Sequence, residues 1–239
     1  MRILVFQHLA VEHPGVLRNF WRDAGHDFEI VPLNEGAPIP NLEGFDLLAV
    51  MGGPMDVWQI GMHPWLLPEM AAIRTWVRDL ERPYFGICLG HQLLAEALGG
   101  QVAPMANPEV GVTAIILSEE GRSDRLLAGL GMEVQTFQWH GAEVQRLPGN
   151  AVILAASEAC PVQAMRVGRH AWRIQFHVEM TRDTVSEWGA VPEYAESLKK
   201  VFGAESASGL DAEVSCHLHS FNAMARQINE NLFHAIKEL

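Results

Sequence analysis

The first hundred residues alternate short apolar runs with longer stretches of helical spacing. Ile3 to Gln7, Asp46 to Met51 and Tyr84 to Ile87 are apolar runs of strand length. Pro64 to Leu80 has apolar residues on one side at helical spacing, and Leu89 to Leu98 reads as a second helix. Because alternating strands and helices pack as a parallel sheet covered on both faces, we expect a three-layer α/β fold with a mostly parallel central sheet.

The middle of the chain is mostly strand-like, with turn residues between the apolar runs. Large mixed sheets often carry antiparallel strands beside a parallel part. We therefore expect these runs to form an antiparallel extension of the same sheet. They are Val110 to Leu117, Glu133 to Trp139, Ala151 to Ala156, Gln163 to Val167 and Ala171 to His177.

The last part of the chain has helical spacing from Thr181 to Leu239, with an interruption at Gly203 to Gly209 that we expect to be flexible. No internal repeat or convincing domain linker is visible. A chain of 239 residues is long enough to bury a full core without disulfides or metals. We predict a single domain over residues 1–239, with a helical C-terminal segment from about residue 181.

The charge balance disfavours anionic partners. Seventeen basic and 29 acidic residues give a net charge of −12, which repels phosphate backbones and anionic lipid surfaces. The apolar run at the amino terminus is too short for a signal peptide, and no stretch approaches the ~20 apolar residues of a membrane span. We expect a cytoplasmic protein that binds neither nucleic acid nor membrane.

Three cysteines, Cys88, Cys160 and Cys216, form neither an even set nor a CxxC pair. A disulfide framework and a thiolate metal site are therefore not expected, and a reducing compartment is the natural interpretation. We predict no metal and no cofactor. Cys160 and Cys216 have no special sequence setting, and we expect them to be structural.

Cys88 stands in the pattern Gly86-Ile-Cys-Leu-Gly90, between a predicted strand and a predicted helix. This is the cysteine version of the nucleophile elbow, in which glycines permit a turn too sharp for larger side chains. The start of the following helix favours a thiolate at the sulfur. An isolated cysteine is usually a small buried hydrophobe. The two glycines and the strand–turn–helix context favour a nucleophile instead.

His177 and Glu179 follow the last predicted strand, in the segment Ile174-Gln-Phe-His-Val-Glu179. If this segment is a strand, residues two apart point to the same face, so the two side chains project together. A thiol nucleophile needs a proton acceptor, and the imidazole needs a partner that fixes its orientation. The same pair would also fit an exposed strand end or part of a metal site.

Several segments together resemble the class I glutamine amidotransferases, and in particular the amidotransferase domain of GMP synthetase. The two most specific are Gly86-Ile-Cys-Leu-Gly-His-Gln92 and Gln175-Phe-His-Val-Glu179. Met51-Gly-Gly-Pro-Met55 stands where the family has its glycine-rich oxyanion loop. Trp139-His-Gly141 resembles the segment that contacts bound glutamine, and Ser157-Glu-Ala-Cys160 is similar to stand-alone members. The resemblance implies a flavodoxin-like core.

The family resemblance implies a Cys–His–Glu triad that hydrolyses the side-chain amide of glutamine. Cys88 would attack the amide carbon, and the backbone N–H groups of Gly53 and Leu89 would stabilise the oxyanion. His177 would protonate the departing ammonia and then activate water, and Glu179 would orient His177.

The same resemblance implies that Gly52, Gln92, His140 and Gly141 bind the substrate. From the residues alone, Gln92 could equally be an ordinary helix surface residue. His140 could equally be a loop histidine whose hydrogen bonds are satisfied within the protein. These alternatives stay open at the level of the sequence.

The chain departs from the family pattern at two places. Val178 stands between His177 and Glu179, where the family usually has proline. Ala142-Glu143 follow the Trp-His-Gly segment, where GMP synthetase typically has aspartate. That stretch of GMP synthetase lies toward its synthetase part, so this departure puts a role as the matching amidotransferase component in question.

Three functions remain compatible with the sequence. The first is a glutaminase that supplies ammonia to a separate synthetase, since the chain has no GxxxxGK[ST] loop of its own. The second is a free-standing hydrolase of other γ-glutamyl compounds. The third is a catalytically silent binding domain, because a fold does not determine a function. The DJ-1/PfpI type of cysteine elbow does not account for the Gly-His-Gln and His-Val-Glu motifs.

Overall fold

The computed structural model describes residues 1–203 and 207–239, and its centre is a nine-stranded mixed sheet. The strands are β1 (Arg2–Gln7), β2 (Asp27–Pro32), β3 (Leu47–Val50), β4 (Tyr84–Ile87), β5 (Gln101–Leu117), β6 (Glu133–Arg146), β7 (Ala151–Ala156), β8 (Ala164–Val167) and β9 (Ala171–Ile174). The helices are α1 (Leu17–Asp23), α2 (Leu66–Arg74), α3 (Leu89–Ala97), α4 (Glu119–Ser123), α5 (Thr184–Gly189), α6 (Pro192–Phe202) and α7 (Ala207–Lys237). A π-helical turn, Thr75–Asp79, continues α2.

The sheet has a parallel part and an antiparallel part. Its strand order is β2-β1-β3-β4-β9-β8-β7-β5-β6. The pairs from β2 to β9 are parallel, and the pairs from β9 to β6 are antiparallel. The predicted α/β fold with an antiparallel extension is confirmed.

Apolar side chains of the parallel strands face both sides of the sheet. In β1, Ile3 and Val5 join the core on the face covered by α1 and α7, whereas Leu4 and Phe6 join the core under α2 and α3. Successive side chains of a strand point to opposite faces, so a strand buried on both sides reads as a continuous apolar run. The short apolar runs in the sequence therefore mark fully covered strands.

The C-terminal segment is helical from Thr184, close to the predicted start. Its side chains Trp188, Leu198, Phe221 and Ile228 belong to the same apolar core as β1. Of the expected interruption at 203–209, residues 204–206 lie outside the described residues, and α7 begins at Ala207. In the two described ranges, no helix is both long and apolar enough to cross a membrane.

The end of β9 differs from the prediction. We expected a strand through His177, but β9 ends at Ile174. Its parallel neighbour β4 ends at Ile87, where the chain turns, and so offers no further pairing partner. The backbone crosses toward β6 instead, and the His177 N–H donates to the Phe137 carbonyl at 2.9 Å. His177 and Glu179 therefore do not lie on one strand face, contrary to our expectation.

Candidate active site

Cys88 occupies the turn between β4 and the start of α3. Its backbone has φ 50° and ψ −103°, a strained conformation for a residue with a side chain. Its N–H donates to the Ile174 carbonyl at 2.9 Å, which ties the turn to β9. Two glycines make the turn possible. A Cβ at Gly90 would lie 2.2 Å from the Val50 carbonyl oxygen, and one at Gly86 would lie 2.8 Å from Gly90.

His177 and Glu179 form a buried hydrogen-bonded pair. The distance from His177 Nδ1 to Glu179 Oε1 is 2.7 Å. The second carboxylate oxygen of Glu179 accepts from the Val178 N–H at 2.9 Å. The Val16 N–H donates to the Glu179 carbonyl at 3.0 Å, so the loop before α1 fixes the backbone here. Although the strand argument fails, the fold brings the two side chains together.

The charge environment of His177 favours the imidazolium form. Burial lowers the pKa of His177, but attraction to the Glu179 carboxylate and to the Cys88 sulfur raises it, and the net pKa lies well above the ordinary value. The other ring nitrogen, Nε2, is buried and has no hydrogen-bond partner among the described residues. This nitrogen is therefore the one left for proton exchange with a reacting group.

Aromatic side chains hold the His177 ring in place. Trp188 meets it edge-on, with 4.5 Å between ring centroids and an interplanar angle of 71°. The indole N–H of Trp188 donates to the Val11 carbonyl at 3.1 Å. Trp188 belongs to α5, so the C-terminal segment contributes directly to the surroundings of the imidazole.

The glycine-rich loop lies beside the start of α3. The Gly90 N–H donates to the Met51 carbonyl at 3.1 Å, and the Gly52 carbonyl lies 2.7 Å from His8 Nδ1. Within the described residues, the N–H groups of Gly53 and Leu89 take part in no hydrogen bond. Two backbone donors flanking the Cys88 turn are thus free for a ligand.

A small cavity of about 160 Å³ opens at the Cys88 turn. Of the sequence-predicted residues, it brings together Cys88, Gly53, Gln92, His140 and Gly141. Its other lining residues are Pro54, Met55, Asp56, Trp139, Ala142, Glu193, Tyr194 and Ser197. Gly52, Leu89, His177 and Glu179 are not among its lining residues.

Gln92 and His140 are held by the protein itself. The Gln92 side-chain amide donates to the Ala142 carbonyl at 3.2 Å and to Gln175 Oε1 at 3.1 Å. His140 lies within β6, with Nδ1 3.1 Å from the Ala142 carbonyl and Nε2 3.1 Å from Glu109 Oε2. Both side chains are therefore held by hydrogen bonds within the protein before any ligand binds.

Sequence reasoning missed Glu12 and Tyr194. The Tyr194 hydroxyl donates to Glu12 Oε1, and a Cβ at Gly52 would meet both Glu12 Oε2, at 2.5 Å, and His177 Cε1, at 3.3 Å. Burial raises the pKa of Glu12 to about 7, while His177 and Tyr194 oppose the rise. No motif marks either residue, because only the packing of α6 against the loop before α1 brings them together.

The remaining cysteines differ from each other. Cys160 is buried, and burial raises its pKa to about 12, as suits a structural thiol. Cys216 is exposed on α7, and its structural role stays a prediction. In the part of the chain that the structure describes, no group of three or more His, Cys, Asp or Glu side chains has a metal-binding arrangement.

Comparison with known proteins identifies the family. The pattern that defines the family "Glutamine amidotransferase class-I" matches residues 15–187. The chain therefore belongs to the class I glutamine amidotransferases. Membership of this family supports hydrolase activity on glutamine.

Three relatives illustrate the range of the family. The chain is 34% identical to a subunit of the glutamine-hydrolysing GMP synthase of Saccharolobus solfataricus, over 65% of this chain and 78% of the relative. It is 27% identical to the glutamine amidotransferase-like protein YfeJ of Salmonella typhimurium, over 100% and 97% of the two chains. A crystal structure of a glutamine amidotransferase from Thermotoga maritima superimposes with a TM-score of 0.86 at 25% identity, covering 97% of both chains.

Proposed function

We propose that this protein hydrolyses the side-chain amide of glutamine through a γ-glutamyl thioester on Cys88 and releases ammonia for a separate synthetase. The observation that carries the proposal is the arrangement around the strained turn. The backbone N–H groups of Gly53 and Leu89 flank Cys88 and have no partner among the described residues. The Cys88 sulfur raises the pKa of the His177 imidazole, whose Nε2 atom has no hydrogen-bond partner among the described residues. A nucleophile, a proton carrier and oxyanion donors are the groups that acyl transfer requires.

The first half of the reaction forms the thioester. The Cys88 sulfur attacks the amide carbon of glutamine, and the carbonyl π electrons move to the oxygen. The N–H groups of Gly53 and Leu89 stabilise that negative oxygen. The carbon–nitrogen bond then breaks, and His177 transfers its Nε2 proton to the departing nitrogen, so that ammonia leaves.

The second half releases glutamate. His177, now neutral at Nε2, takes a proton from water as the water oxygen attacks the thioester carbon. The carbon–sulfur bond breaks, and the electron pair returns to the Cys88 sulfur. Glu179 keeps Nδ1 protonated and the ring oriented throughout. The sum of the two halves converts glutamine and water into glutamate and ammonia.

The wall opposite the glycine loop would hold the glutamyl part of the substrate. Gln92, His140 and Gly141 line the cavity, and the hydrogen bonds of Gln92 and His140 to the Ala142 carbonyl fix their positions. A cavity of about 160 Å³ matches one small amino-acid side chain better than a large ligand. Gly52 contributes by letting the loop approach the site closely, since a Cβ there would meet Glu12 and His177.

The proposed acceptor of the ammonia is a separate synthetase chain. The relative from Saccharolobus solfataricus is named as one subunit of a glutamine-hydrolysing GMP synthase. The given sequence contains no GxxxxGK[ST] phosphate-binding loop, the motif with which a synthetase could bind the nucleotide that activates an acceptor. A partner synthetase is the simplest complement to this chemistry.

A second candidate function is hydrolysis of γ-glutamyl compounds that are larger than glutamine. A groove of about 790 Å³ adjoins the Cys88 cavity. The two spaces share Pro54, Met55 and Glu193 as lining residues. The groove opens from the end of the cavity formed by the glycine loop, opposite the end formed by Gln92. A substituent on the amide nitrogen of the substrate could therefore occupy the groove.

The test is ammonia or amine release from glutamine and from a panel of γ-glutamyl amides, with purified protein alone and with a GMP synthetase chain present. Cys88→Ser is the matched control. Preferred cleavage of glutamine, stimulated by the synthetase, supports the first function, whereas preference for a larger amide supports the second. Absence of cleavage under every condition would favour a binding domain and contradict both.

A further inference from the structure

A second buried histidine–carboxylate pair lies behind the glycine loop. His8 Nε2 is 2.8 Å from Glu69 Oε1, and both side chains are fully buried. The other ring nitrogen, Nδ1, lies 2.7 Å from the Gly52 carbonyl oxygen. None of these residues lines the Cys88 cavity, although His8 also lines the adjoining groove, so the link from this pair to the Cys88 cavity runs through the backbone.

The Gly52 carbonyl belongs to the same peptide unit as the Gly53 N–H. In a planar trans peptide the C=O and N–H bonds point in opposite directions. A hydrogen bond that holds the carbonyl toward His8 therefore directs the Gly53 N–H away from His8. Gly53 lines the Cys88 cavity, and this N–H has no partner within the described residues.

His8 is able to donate from both ring nitrogens. Each nitrogen faces an oxygen that accepts, one in Glu69 and one in Gly52. Burial lowers the pKa of His8, but the Glu69 carboxylate and the hydrogen bonds raise it, and the net pKa lies above its ordinary value. The imidazolium form supplies both protons, and hydrogen bonds from a charged donor are stronger than those between neutral groups.

The Gly52–Gly53 peptide needs such a restraint. Two successive glycines have unusual backbone freedom, so this peptide unit could rotate at little cost. The preceding carbonyl, that of Met51, is already tied to the Gly90 N–H. Among the described residues, His8 makes the hydrogen bond that fixes the next carbonyl. The ring also stacks on Trp65, with 5.5 Å between ring centroids.

We infer that His8, supported by Glu69, is a positioning residue that keeps the Gly53 N–H aimed at the oxyanion. The inference rests on the proposed function, because an oxyanion forms only if Cys88 attacks an acyl carbon. The positioning role accounts for the burial of His8 and Glu69, two polar residues that are not part of the triad.

Two variants separate the two hydrogen bonds of His8. In His8→Asn the side-chain amide nitrogen stands near the position of Nδ1 and can still bind the Gly52 carbonyl. In His8→Gln the amide nitrogen stands near the position of Nε2 and reaches Glu69 instead. We expect His8→Asn to retain kcat for glutamine hydrolysis within about tenfold, and His8→Gln to lose about 10²-fold, with KM changed less than about threefold in both.

The rate at which iodoacetamide alkylates Cys88 separates a positioning defect from a general structural defect. A general structural defect would change this rate, whereas loss of oxyanion positioning would not. This displacement needs a reactive sulfur but forms no oxyanion. We therefore expect both variants to be alkylated at the wild-type rate, measured by peptide mass spectrometry in a Cys216→Ser background. His170→Asn is the control, because it removes another imidazole–carbonyl hydrogen bond, from Nε2 to Val77, that takes no part in the proposed chemistry.

The outcomes discriminate between the claims. Equal kcat losses in His8→Asn and His8→Gln, or a parallel loss of Cys88 alkylation, would overturn the positioning role while the wild-type activity stands. A wild-type protein that neither cleaves γ-glutamyl amides nor reacts at Cys88 would overturn the proposed function as well. If a single variant does not fold, the same comparison in a Glu69→Gln background removes the buried charge and decides the question.

Discussion

The hydroxyl of Tyr194 donates to the buried carboxylate of Glu12, which lies 182 residues earlier in the chain. Two further contacts join the same C-terminal segment to the site. The Trp139 indole donates to Ser197 Oγ at 2.7 Å, and Trp188 packs edge-on against His177. The chain thus covers its own candidate active site.

We therefore expect the purified protein to hydrolyse glutamine or another γ-glutamyl amide without a partner. The physical reason is that α5 and α6 already hold His177 and close one side of the cavity. The measurement is steady-state ammonia release, compared with and without an added synthetase chain. Activity that is absent alone and appears only with the synthetase would contradict this prediction and identify an obligate component of a larger enzyme.

Glu12 makes the stability of the protein dependent on pH. Its pKa rises from an ordinary value of 4.5 to about 7 in the folded protein, so the folded state retains a proton that the unfolded state has lost. The contribution of Glu12 to the free energy of unfolding is thus most favourable below pH 4.5. It becomes less favourable as the pH rises to about 7 and stays constant at higher pH. The total change is about 3 kcal/mol.

The variant Glu12→Gln, which is neutral at every pH, tests this account. We expect its free energy of unfolding to equal that of the wild type near pH 4.5 and to exceed it by up to about 3 kcal/mol at pH 8. Denaturant titrations at several pH values measure the difference. A difference that does not change with pH, or that grows toward low pH, would show that Glu12 does not bury a proton.

The Cys88 turn depends on Gly90. A Cβ at this position would lie 2.2 Å from the Val50 carbonyl oxygen, an atom of the central sheet that cannot move aside. We expect Gly90→Ala to destabilise the fold by more than about 2 kcal/mol, as overpacking of a rigid site does. Gly149→Ala is the control, because nothing lies within 4 Å of its added Cβ. Equal unfolding midpoints for the two variants would refute the steric argument.

Glu179→Gln isolates the role of the carboxylate next to His177. Attraction to Glu179 helps to raise the pKa of His177, so its removal should lower that pKa and weaken the imidazolium form. We expect kcat to fall by up to about 10⁴-fold, as when a neutral amide replaces the orienting carboxylate of another triad.

The pH dependence of Cys88 alkylation provides the mechanistic readout for Glu179→Gln. The reaction should slow most at pH values above the lowered pKa of His177 in the variant, where the wild-type imidazole is still charged. Glu238→Gln, which alters only an ion pair with Arg125 and an i,i+4 pair with His234, is the control. An unchanged pH profile in Glu179→Gln would mean that Glu179 does not tune the imidazole.

Local patterns predicted the sheet because strands covered on both faces consist almost wholly of apolar residues. The same reasoning predicted the Cys88 elbow from its G-x-C-x-G spacing, and the contact that requires Gly86 is with Gly90 in the same turn. These features depend on short-range geometry, which a sequence displays directly.

Features that depend on distant packing could not be predicted. His177 lies on a crossing segment that pairs with Phe137 rather than on a strand, because β4 has already turned at Cys88. Glu12 contacts Tyr194 only through the docking of α6, and His8 meets Glu69 across 61 residues. No spacing rule relates such residues, so they became visible only in the fold.

The most direct test of the central claim is mass spectrometry of the intact protein quenched during turnover of glutamine. The account predicts an adduct with the mass of a γ-glutamyl group, which proteolysis assigns to the peptide containing Cys88. The adduct should disappear in Cys88→Ala, together with ammonia release. An adduct on another residue, or undiminished ammonia release by Cys88→Ala, would contradict the account.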